Sequence, residues 1–407
     1  MKIRSITCFF DPREPDAQAA LDRLARLAEE GRAVFHSAGL EVQSVRLASV
    51  PFPLLYPADH PDGALRLAQT LEQDAASRGF AYLSLGPALP AFPASYRLVA
   101  PILRETRAVF LSGIMAAPET GVSLPAVRAC AEIIAAAAPL EPGGFANLRF
   151  GALANLGPGG PFLPGAYHGG GRPAFALAVE CADLALEAFA RAGSLEDARR
   201  RLVTALEEQA TALTSRAAFL SQKYGVFFGG IDFSPAPYPQ DWCSLGGAIE
   251  RLGIPALGLN GSLAAAAFLA DALDRGRWLR AGFNGLMLPV LEDSVLARRS
   301  GQGSLTLRDL LLYSAVCGCG LDTVPLPGSA TPGQISALLL DVAALALRLR
   351  KPLIARLMPI PGKAAGDATD FTFEFFANGR VMDLPAAPVE GLLAGEESFT
   401  LEPRRSA

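Results

Sequence analysis

The chain has 407 residues, 51% of them hydrophobic and 19% charged, with a formal net charge of −4 at pH 7. Such a composition excludes a disordered chain. The negative balance, without a run of Lys and Arg, argues against a nucleic-acid partner, because phosphate contacts need a basic face. The opening MKIRSITCFFDPREP is typical of neither a signal peptide nor a membrane anchor, so we expect a cytoplasmic protein without membrane contact.

Apolar runs of strand length alternate with helical patterns along the chain. A first strand is predicted at 3–10, and the spacing of Leu21, Leu24, Ala28 and Phe35 predicts a helix after it. Further strands are predicted at 41–49, 80–86, 107–114, 148–156, 174–180, 226–232, 255–259, 285–290, 353–359 and 369–376, with helices at 65–77, 124–138, 195–224, 306–317 and 336–350. This alternation predicts a largely parallel sheet, open or closed, in one α/β domain spanning residues 1–407.

Polar side chains follow several of these predicted strands. Asn155, Glu180, Asp232, Glu292 and Asp293 come at or after strand ends, where parallel α/β folds place their sites. Clustered carboxylates bind a hard cation or act as acid and base. We therefore expect the four acids to hold a divalent metal ion and the asparagine to contact substrate. The alternative is that each acid caps the next helix, which the position of Asp293 before SVLARR favours.

A glycine-rich loop at 157–173 carries seven glycines. It matches neither the dinucleotide-binding nor the P-loop pattern, so we expect no nucleotide cofactor. His168 lies at its centre beside Tyr167, a setting suited to metal binding or proton transfer. The alternative is a histidine that is hydrogen-bonded within the loop. The other two histidines are His36, in a helical pattern, and His60, in a predicted surface turn.

The stretch YSAVCGCGLDTVPLPGS contains Cys317 and Cys319. Three interpretations stay open: a reactive thiol loop, half of a metal site, or a buried turn of small residues. A nucleophilic thiol needs a base or positive charge nearby, which His168, Lys351 or Arg356 would supply. Zinc would need a second pair of soft ligands, and the sequence offers none at suitable spacing.

Arg356 lies within the otherwise apolar run LIARLMP. A buried arginine requires a carboxylate partner, from the substrate or from the protein itself. Asp322 and Asp341 are the candidate internal partners.

Five motifs occur in one order: FLPGAYH, FFGGIDFSPAP, GLMLPVLED, YSAVCGCGLDTVPLPG and KPLIARLMPIPGKAAGD. Together they resemble the DUF711 or UPF0210 family, also called the PFL family, over nearly the whole chain. The resemblance implies a fold similar to pyruvate formate-lyase, an α/β barrel of ten strands in two five-stranded halves. It also implies functional roles for Tyr167, His168, Glu180, Asp232, Ser234, Glu292, Asp293, Cys317, Asp322, Thr323, Lys351 and Arg356.

Three functional hypotheses follow. The leading one is a non-radical, metal-dependent enzyme acting on a small carboxylate or carbonyl compound inside the barrel. Its catalytic residues would be Cys317, His168, Tyr167 and Asp322, with Arg356, Lys351, Ser234, Thr323 and Asn155 binding substrate and Asp232, Glu180, Glu292 and Asp293 binding metal.

The first alternative is a non-catalytic small-molecule-binding or regulatory protein. The second is a thiol or glycyl-radical enzyme, which would need Gly379, in FANGRVMDL, to face Cys317. In either case a homodimer is the expected assembly, because two-fold assemblies are the commonest.

Overall fold

A single mixed α/β sheet of eleven strands organises the computed structural model, which describes residues 1–56 and 61–403. The predicted turn at His60 lies outside these residues. The strands are β1 (Lys2–Phe10), β2 (Val45–Ser49), β3 (Tyr82–Ala88), β4 (Val109–Ala117), β5 (Gly121–Ser123), β6 (Phe150–Ala154), β7 (Ala174–Glu180), β8 (Phe227–Ala236), β9 (Gly320–Pro327), β10 (Leu353–Ile360) and β11 (Ser398–Phe399).

Helices connect most of the strands and cover the sheet. In the first, Leu21, Leu24 and Ala28 are buried at helical spacing, as predicted. No helix in the described ranges is long and apolar enough to cross a membrane. The α-helices are α1 (Ala17–His36), α2 (Pro61–Ser77), α3 (Tyr96–Glu105), α4 (Leu124–Ala137), α5 (Ala182–Ala190), α6 (Leu195–Tyr224), α7 (Leu245–Arg251), α8 (Ser262–Arg275), α9 (Ser294–Gln302), α10 (Leu307–Ser314) and α11 (Pro332–Arg348).

The strand order is β8-β7-β1-β2-β3-β4-β6-β10-β9, with β5 and β11 paired at the margin of β4. Strands β1, β2, β3, β4 and β6 are parallel neighbours. Strands β7 and β8 are parallel, as are β9 and β10. The two sets meet through antiparallel pairs, β1 with β7 and β6 with β10. The sheet therefore consists of two parallel groups running in opposite directions.

The segment 280–290 contacts both edge strands. Arg280 forms a parallel bridge with Ile231 of β8, and Pro289 forms one with Asp322 of β9. Val290 N donates a hydrogen bond to the backbone oxygen of Asp322 at 3.1 Å. The predicted strand at 285–290 is thus represented by irregular chain with a single bridge, at Pro289.

A buried carboxylate fixes this segment onto β8. Asp232, which is fully buried, accepts hydrogen bonds from Ser234 N and Oγ, Phe283 N and Asn284 N at 2.7 to 2.9 Å. Gly282 has a φ of 76°, and a Cβ there would lie 2.3 Å from the Asp232 carboxylate. Only glycine allows this close approach without displacement.

Several secondary-structure elements differ from those predicted from the sequence. The predicted strands at 255–259 and 369–376 are irregular chain, and β9 was not predicted as a strand. Asp232 lies in the middle of β8 rather than at its end. In 369–376 the alternating phenylalanines contact other aromatic rings instead of a neighbouring strand, which imitates the strand pattern.

We expect Asp232→Ala to lower the free energy of unfolding by about 3 kcal/mol or more, since three buried N–H groups would lose a charged acceptor. Urea unfolding followed by circular dichroism measures this. The matched control is Asp241→Ala, because Asp241 is exposed and pairs with Ser294 and Arg298 at the surface. We expect that variant to lose at most about 1 kcal/mol. Equal losses in both variants would contradict the role given to Asp232.

Candidate functional site

A cavity of about 160 Å³ lies between the two parallel groups of strands. Its walls come from β1, β3, β4, β8, β9 and β10, from β2 and the two residues before it, and from the chain on either side of β6. The segment 280–290, Glu292 after it and the irregular chain at 371–376 complete the walls. The lining residues are Arg4, Gln43, Ser44, Arg46, Tyr82, Phe110, Leu148, Phe162, Leu163, Pro164, Ala236, Phe283, Met287, Glu292, Asp322, Ile354, Arg356, Phe373 and Phe375.

Five side chains of alternating charge form a ladder along the cavity: Asp322, Arg356, Glu292, Arg4 and Glu180. Arg356 Nε donates to Asp322 Oδ1, and its Nη2 donates to Glu292 Oε1 at 2.8 Å. Arg4 Nη2 donates to Glu292 Oε2 at 2.8 Å, and its Nη1 donates to Glu180 Oε2 at 3.3 Å. This charge ladder joins strands of both parallel groups.

β-Bulges direct two members of the ladder into the cavity. Ile3 and Ser5 of β1 face the consecutive residues Val179 and Ala178 of β7, so Arg4 is the extra residue of a bulge. In the same way Asp322 and Thr323 of β9 face Arg356 alone on β10. Bulges re-aim side chains and occur next to functional sites.

Thr323 has a φ of 40°, in the left-handed region. This conformation is strained for a β-branched residue. Thr323 forms the bulge with Asp322, and its backbone N–H acts to lower the pKa of the Asp322 carboxyl group. The strained backbone thus lies directly beside the Asp322 carboxylate.

Burial changes the proton affinity of two ladder acids. Removal from water raises the pKa of Asp322, and the negative charge of Glu292 adds to this, while Arg356 opposes it. Burial also raises the pKa of Glu180, opposed by the hydrogen bond from Gln43 Nε2 at 2.6 Å. Both carboxyl groups therefore take up a proton more readily than exposed acids do.

Arg46 of β2 is the cation of the cavity outside the ladder. Its Nε donates to Ser44 Oγ at 2.9 Å, and its guanidinium lies 5.8 Å from the ring centroid of Tyr82. Within the described chain no carboxylate forms an ion pair with it. Burial lowers the pKa of Arg46, helped by repulsion from Arg4 and Arg356. A guanidinium nevertheless stays protonated in a protein, so its terminal N–H groups present to the cavity a positive charge that is not held in an ion pair.

The structure brings together four of the residues singled out in the sequence. Glu292, Asp322 and Arg356 line the cavity. Glu180 lies outside the lining and forms an ion pair with Arg4, which lines the cavity. Of the two internal partners considered for Arg356, Asp322 is the one it contacts. Glu180 and Glu292, expected as metal ligands, are instead joined through Arg4.

The other two acids expected to bind metal are saturated by hydrogen-bond donors elsewhere. Asp232 binds the backbone of the segment 280–290, as described above. Asp293 accepts from Ser244 Oγ and from backbone N–H groups at the starts of α7 and α9, at 2.6 to 3.1 Å. The helix-capping alternative for Asp293 is therefore the arrangement observed. Across residues 1–56 and 61–403, no group of three or more His, Cys, Asp or Glu side chains is placed to hold a metal ion.

The two cysteines of the CGC stretch are buried free thiols outside the cavity lining. Burial raises the pKa of Cys319 well above its usual range, and its Sγ lies 3.5 Å from Ser234 Oγ. Ser234 itself donates to Asp232. Lys351 Nζ donates to the backbone oxygen of Ala315 at 2.7 Å, near Cys317 rather than in the cavity.

The remaining candidates make local contacts. Tyr167 donates its hydroxyl to the backbone oxygen of Leu156 at 2.9 Å, and burial raises its pKa to about 12. His168 Nε2 lies 3.4 Å from Gly171 O, the hydrogen-bonded loop arrangement held as the alternative. Asn155 Nδ2 donates to a backbone oxygen of α11 at 3.4 Å.

Sequence reasoning missed Arg4, Gln43 and Arg46. Arg46 carries the signal that identified Arg356, an arginine within an apolar strand, and alternation in VRLAS places it opposite the buried Val45 and Leu47. Arg4 gives no such signal, because the bulge reverses the alternation of β1 between Ile3 and Ser5. The contact of Gln43 depends on the fold.

The fold and the cavity together define an α/β protein with a partly open cavity of small-molecule size, lined by charged and aromatic side chains. A family model described as "Uncharacterised ACR (DUF711)" matches residues 1–378, so the chain belongs to the DUF711 family. A UPF0210 protein of Pyrobaculum arsenaticum is 33% identical over 88% of this chain and 84% of its own length. UPF0210 proteins of Acetivibrio thermocellus and Neisseria meningitidis are 28% and 26% identical, over 85% and 82% of this chain and 80% and 77% of their own lengths. The family recognised from the five motifs is confirmed.

His168 provides a test of the electrostatics around the glycine-rich loop at 157–173. Burial lowers its pKa, opposed by Gly171 O and by Asp11, whose carboxylate also binds Arg13. The folded protein therefore binds fewer protons here than the unfolded chain, and the contribution of His168 to stability falls as the pH drops below about 6.5.

We expect His168→Gln to flatten the loss of unfolding free energy between about pH 7 and pH 5, relative to wild type. Urea unfolding at each pH measures the slope. His36→Gln, at an exposed position of α1, is the control and should keep the wild-type slope. The same slope in all three proteins would contradict this account of His168.

Proposed function

We propose that this protein is an enzyme that binds a small carboxylate compound inside a closed ten-stranded barrel and moves a proton at Asp322. The observation that carries this proposal is the unpaired guanidinium of Arg46 in a cavity that Asp322 also lines. An arginine fork matches a carboxylate in a bidentate geometry. The compound would bind Arg46 and lie within reach of a carboxyl group that can exchange protons.

Closure of the barrel is supported by the segment 280–290. It bridges β8 and β9, the two ends of the strand order, and would be the tenth strand. Each half would then have five parallel strands, as in the pyruvate formate-lyase-like fold. A closed barrel within one domain would also explain why the charge ladder crosses between the halves.

Charge balance supports an anionic ligand and a coupled proton. The ladder contains three carboxylates and two guanidiniums, and Arg46 brings the formal charge of the six groups to zero when all are ionised. A bound carboxylate adds one negative charge to a poorly solvated cavity. Asp322, whose pKa burial already raises, is the acid placed to take up a proton in compensation.

The second candidate function is a non-catalytic binding protein, the alternative held from the sequence. It is favoured by the absence of Cys, His and Lys from the described residues that line the cavity.

We do not propose a glycyl radical, since Gly379 packs against Ala297 O and Ser300 Oγ of α9 and neither Gly379 nor Cys317 lines the cavity. The metal-dependent form lacks support because the candidate acids already accept hydrogen bonds from other partners.

Binding is tested by calorimetric titration with acetate, propionate, pyruvate and benzoate, each compared with its neutral primary amide. We expect the carboxylates to bind and the amides not to. Arg46→Gln should weaken carboxylate binding at least tenfold, corresponding to about 1.4 kcal/mol. Arg32→Gln, which removes an arginine that binds Val42 O outside the cavity, should leave it unchanged. If no carboxylate binds the wild type, the proposed function is wrong.

Proton uptake distinguishes Asp322 from the other acids. Titrations in phosphate and Tris at one pH should give binding enthalpies that differ in proportion to the protons taken up. We expect uptake by the wild type and by Asp271→Asn, an acid on α8 remote from the cavity lining, and none by Asp322→Asn. Carboxylate affinity should increase as the pH falls towards the raised pKa of Asp322. Binding without proton uptake would contradict the charge-balance argument.

Catalysis is tested by the exchange of the methyl protons of pyruvate in D₂O, followed by NMR. In the fraction of the complex in which Asp322 is ionised, its carboxylate would accept a proton from the methyl carbon of pyruvate and leave the enolate. After exchange with solvent it would return a deuteron to that carbon. We expect exchange above the buffer rate for the wild type and for Asp271→Asn, and none above it for Asp322→Asn. Carboxylate binding without exchange would favour the second candidate, a binding protein.

A further inference from the structure

The lining of the cavity is unusually aromatic for so small a space. Six rings contribute to it, and they come from five separate parts of the chain: β3, β4, the loop after β6, the segment 280–290 and the chain at 371–376. These residues are Tyr82, Phe110, Phe162, Phe283, Phe373 and Phe375. We propose that the ligand of the cavity is a carboxylate carried on a single planar aromatic ring. This inference rests on the proposed function and specifies its ligand class.

The size of the cavity matches a ligand of about one ring. An apolar protein cavity of about 150 Å³ accommodates benzene, and this cavity measures about 160 Å³. Sites for larger, drug-sized ligands occupy about 300 Å³ or more. A single ring with one carboxylate therefore uses the available space, whereas acetate or propionate leaves most of it unfilled.

The polar and aromatic groups are arranged to orient such a ligand. The Arg46 guanidinium is held by Ser44 and lies near the face of Tyr82, while Tyr82 and Phe110 meet edge to face at 5.3 Å between centroids. A carboxylate bound to Arg46 thus places its attached ring beside this aromatic pair. Edge-to-face and offset arrangements favour an aromatic ring over a saturated ring of similar size.

The chain at 371–376, which we call the aromatic strap, supplies two of the other rings, Phe373 and Phe375. The Phe375 ring lies 5.6 Å from the Arg4 guanidinium, and Phe373 meets Phe375 at 5.3 Å between centroids. Phe371 belongs to the same strap but packs on Phe376 at 5.1 Å and does not line the cavity. The strap therefore offers a matched pair of phenylalanines, Phe373 inside the cavity and Phe371 outside it.

The experiment compares benzoate, cyclohexanecarboxylate and propionate by calorimetric titration of the full chain. The two ring compounds have the same carboxylate and a similar size but differ in planarity and aromatic character. We expect benzoate to bind about fivefold more tightly than cyclohexanecarboxylate, and about tenfold or more tightly than propionate. Phe373→Leu should reduce the preference for benzoate over cyclohexanecarboxylate to about twofold or less, and Phe371→Leu should preserve it.

The outcomes separate this inference from the proposed function. If all three probes bind and lose affinity in Arg46→Gln, but benzoate has no advantage over cyclohexanecarboxylate, the aromatic specificity is wrong and the carboxylate site stands. An advantage that survives Phe373→Leu and Phe371→Leu equally overturns the role of the strap. If none of the probes binds the wild type, both the inference and the proposed function are overturned.

Discussion

The constraint on which the structure depends is the burial of ionised groups around one cavity. Transferring a carboxylate or a guanidinium out of water costs several kcal/mol, and only close partners of opposite charge offset this cost. In the charge ladder each arginine contacts two carboxylates, and Glu292 is shared between Arg4 and Arg356. Arg356 and Asp322 lie on neighbouring strands of one parallel group, whereas Arg4 of β1 pairs with Glu180 of β7, in the other group. The charge of Arg4 is therefore compensated only when the two groups are assembled, so this ionic contact and the overall topology depend on each other.

A buried ion pair contributes little to stability compared with a well-packed apolar core. The ladder is therefore explained better by what it does to the cavity than by what it adds to folding. It fixes two arginines and uses their charges internally, so neither Arg4 nor Arg356 is free to bind an anion. Arg46 remains as the available cation. Its lowered pKa and the raised pKa of Asp322 have one physical origin, the poor solvation of the cavity. The anion binding and the proton uptake that we propose both rest on that origin.

Hydrophobic patterning was sufficient to predict the main strands and helices, because alternation and helical spacing report directly on burial. It was insufficient at Asp232 and Asp293, where an acid near a strand suggested a ligand. The sequence does not show that each acid would meet two backbone N–H groups from a distant part of the chain. The alternating phenylalanines of the aromatic strap imitated a strand because cavity contacts and sheet contacts both select such residues. Single-chain patterns cannot separate these two causes.

The two β-bulges are features that the hydrophobic pattern of the sequence could not predict. Without its bulge, β1 would turn Ile3 towards the cavity and Arg4 away from it, as alternation predicts. Without the second bulge, β9 would offer one residue instead of two opposite Arg356, and Thr323 would not need its strained backbone. The stretch YSAVCGCGLDTVPLPGS drew attention because of its cysteines. Its cavity residue is Asp322, and the irregularity at Thr323 lies directly beside that carboxylate. A bulge changes the position of a reactive group without changing the hydrophobic pattern around it, so such a site becomes visible only in the folded structure.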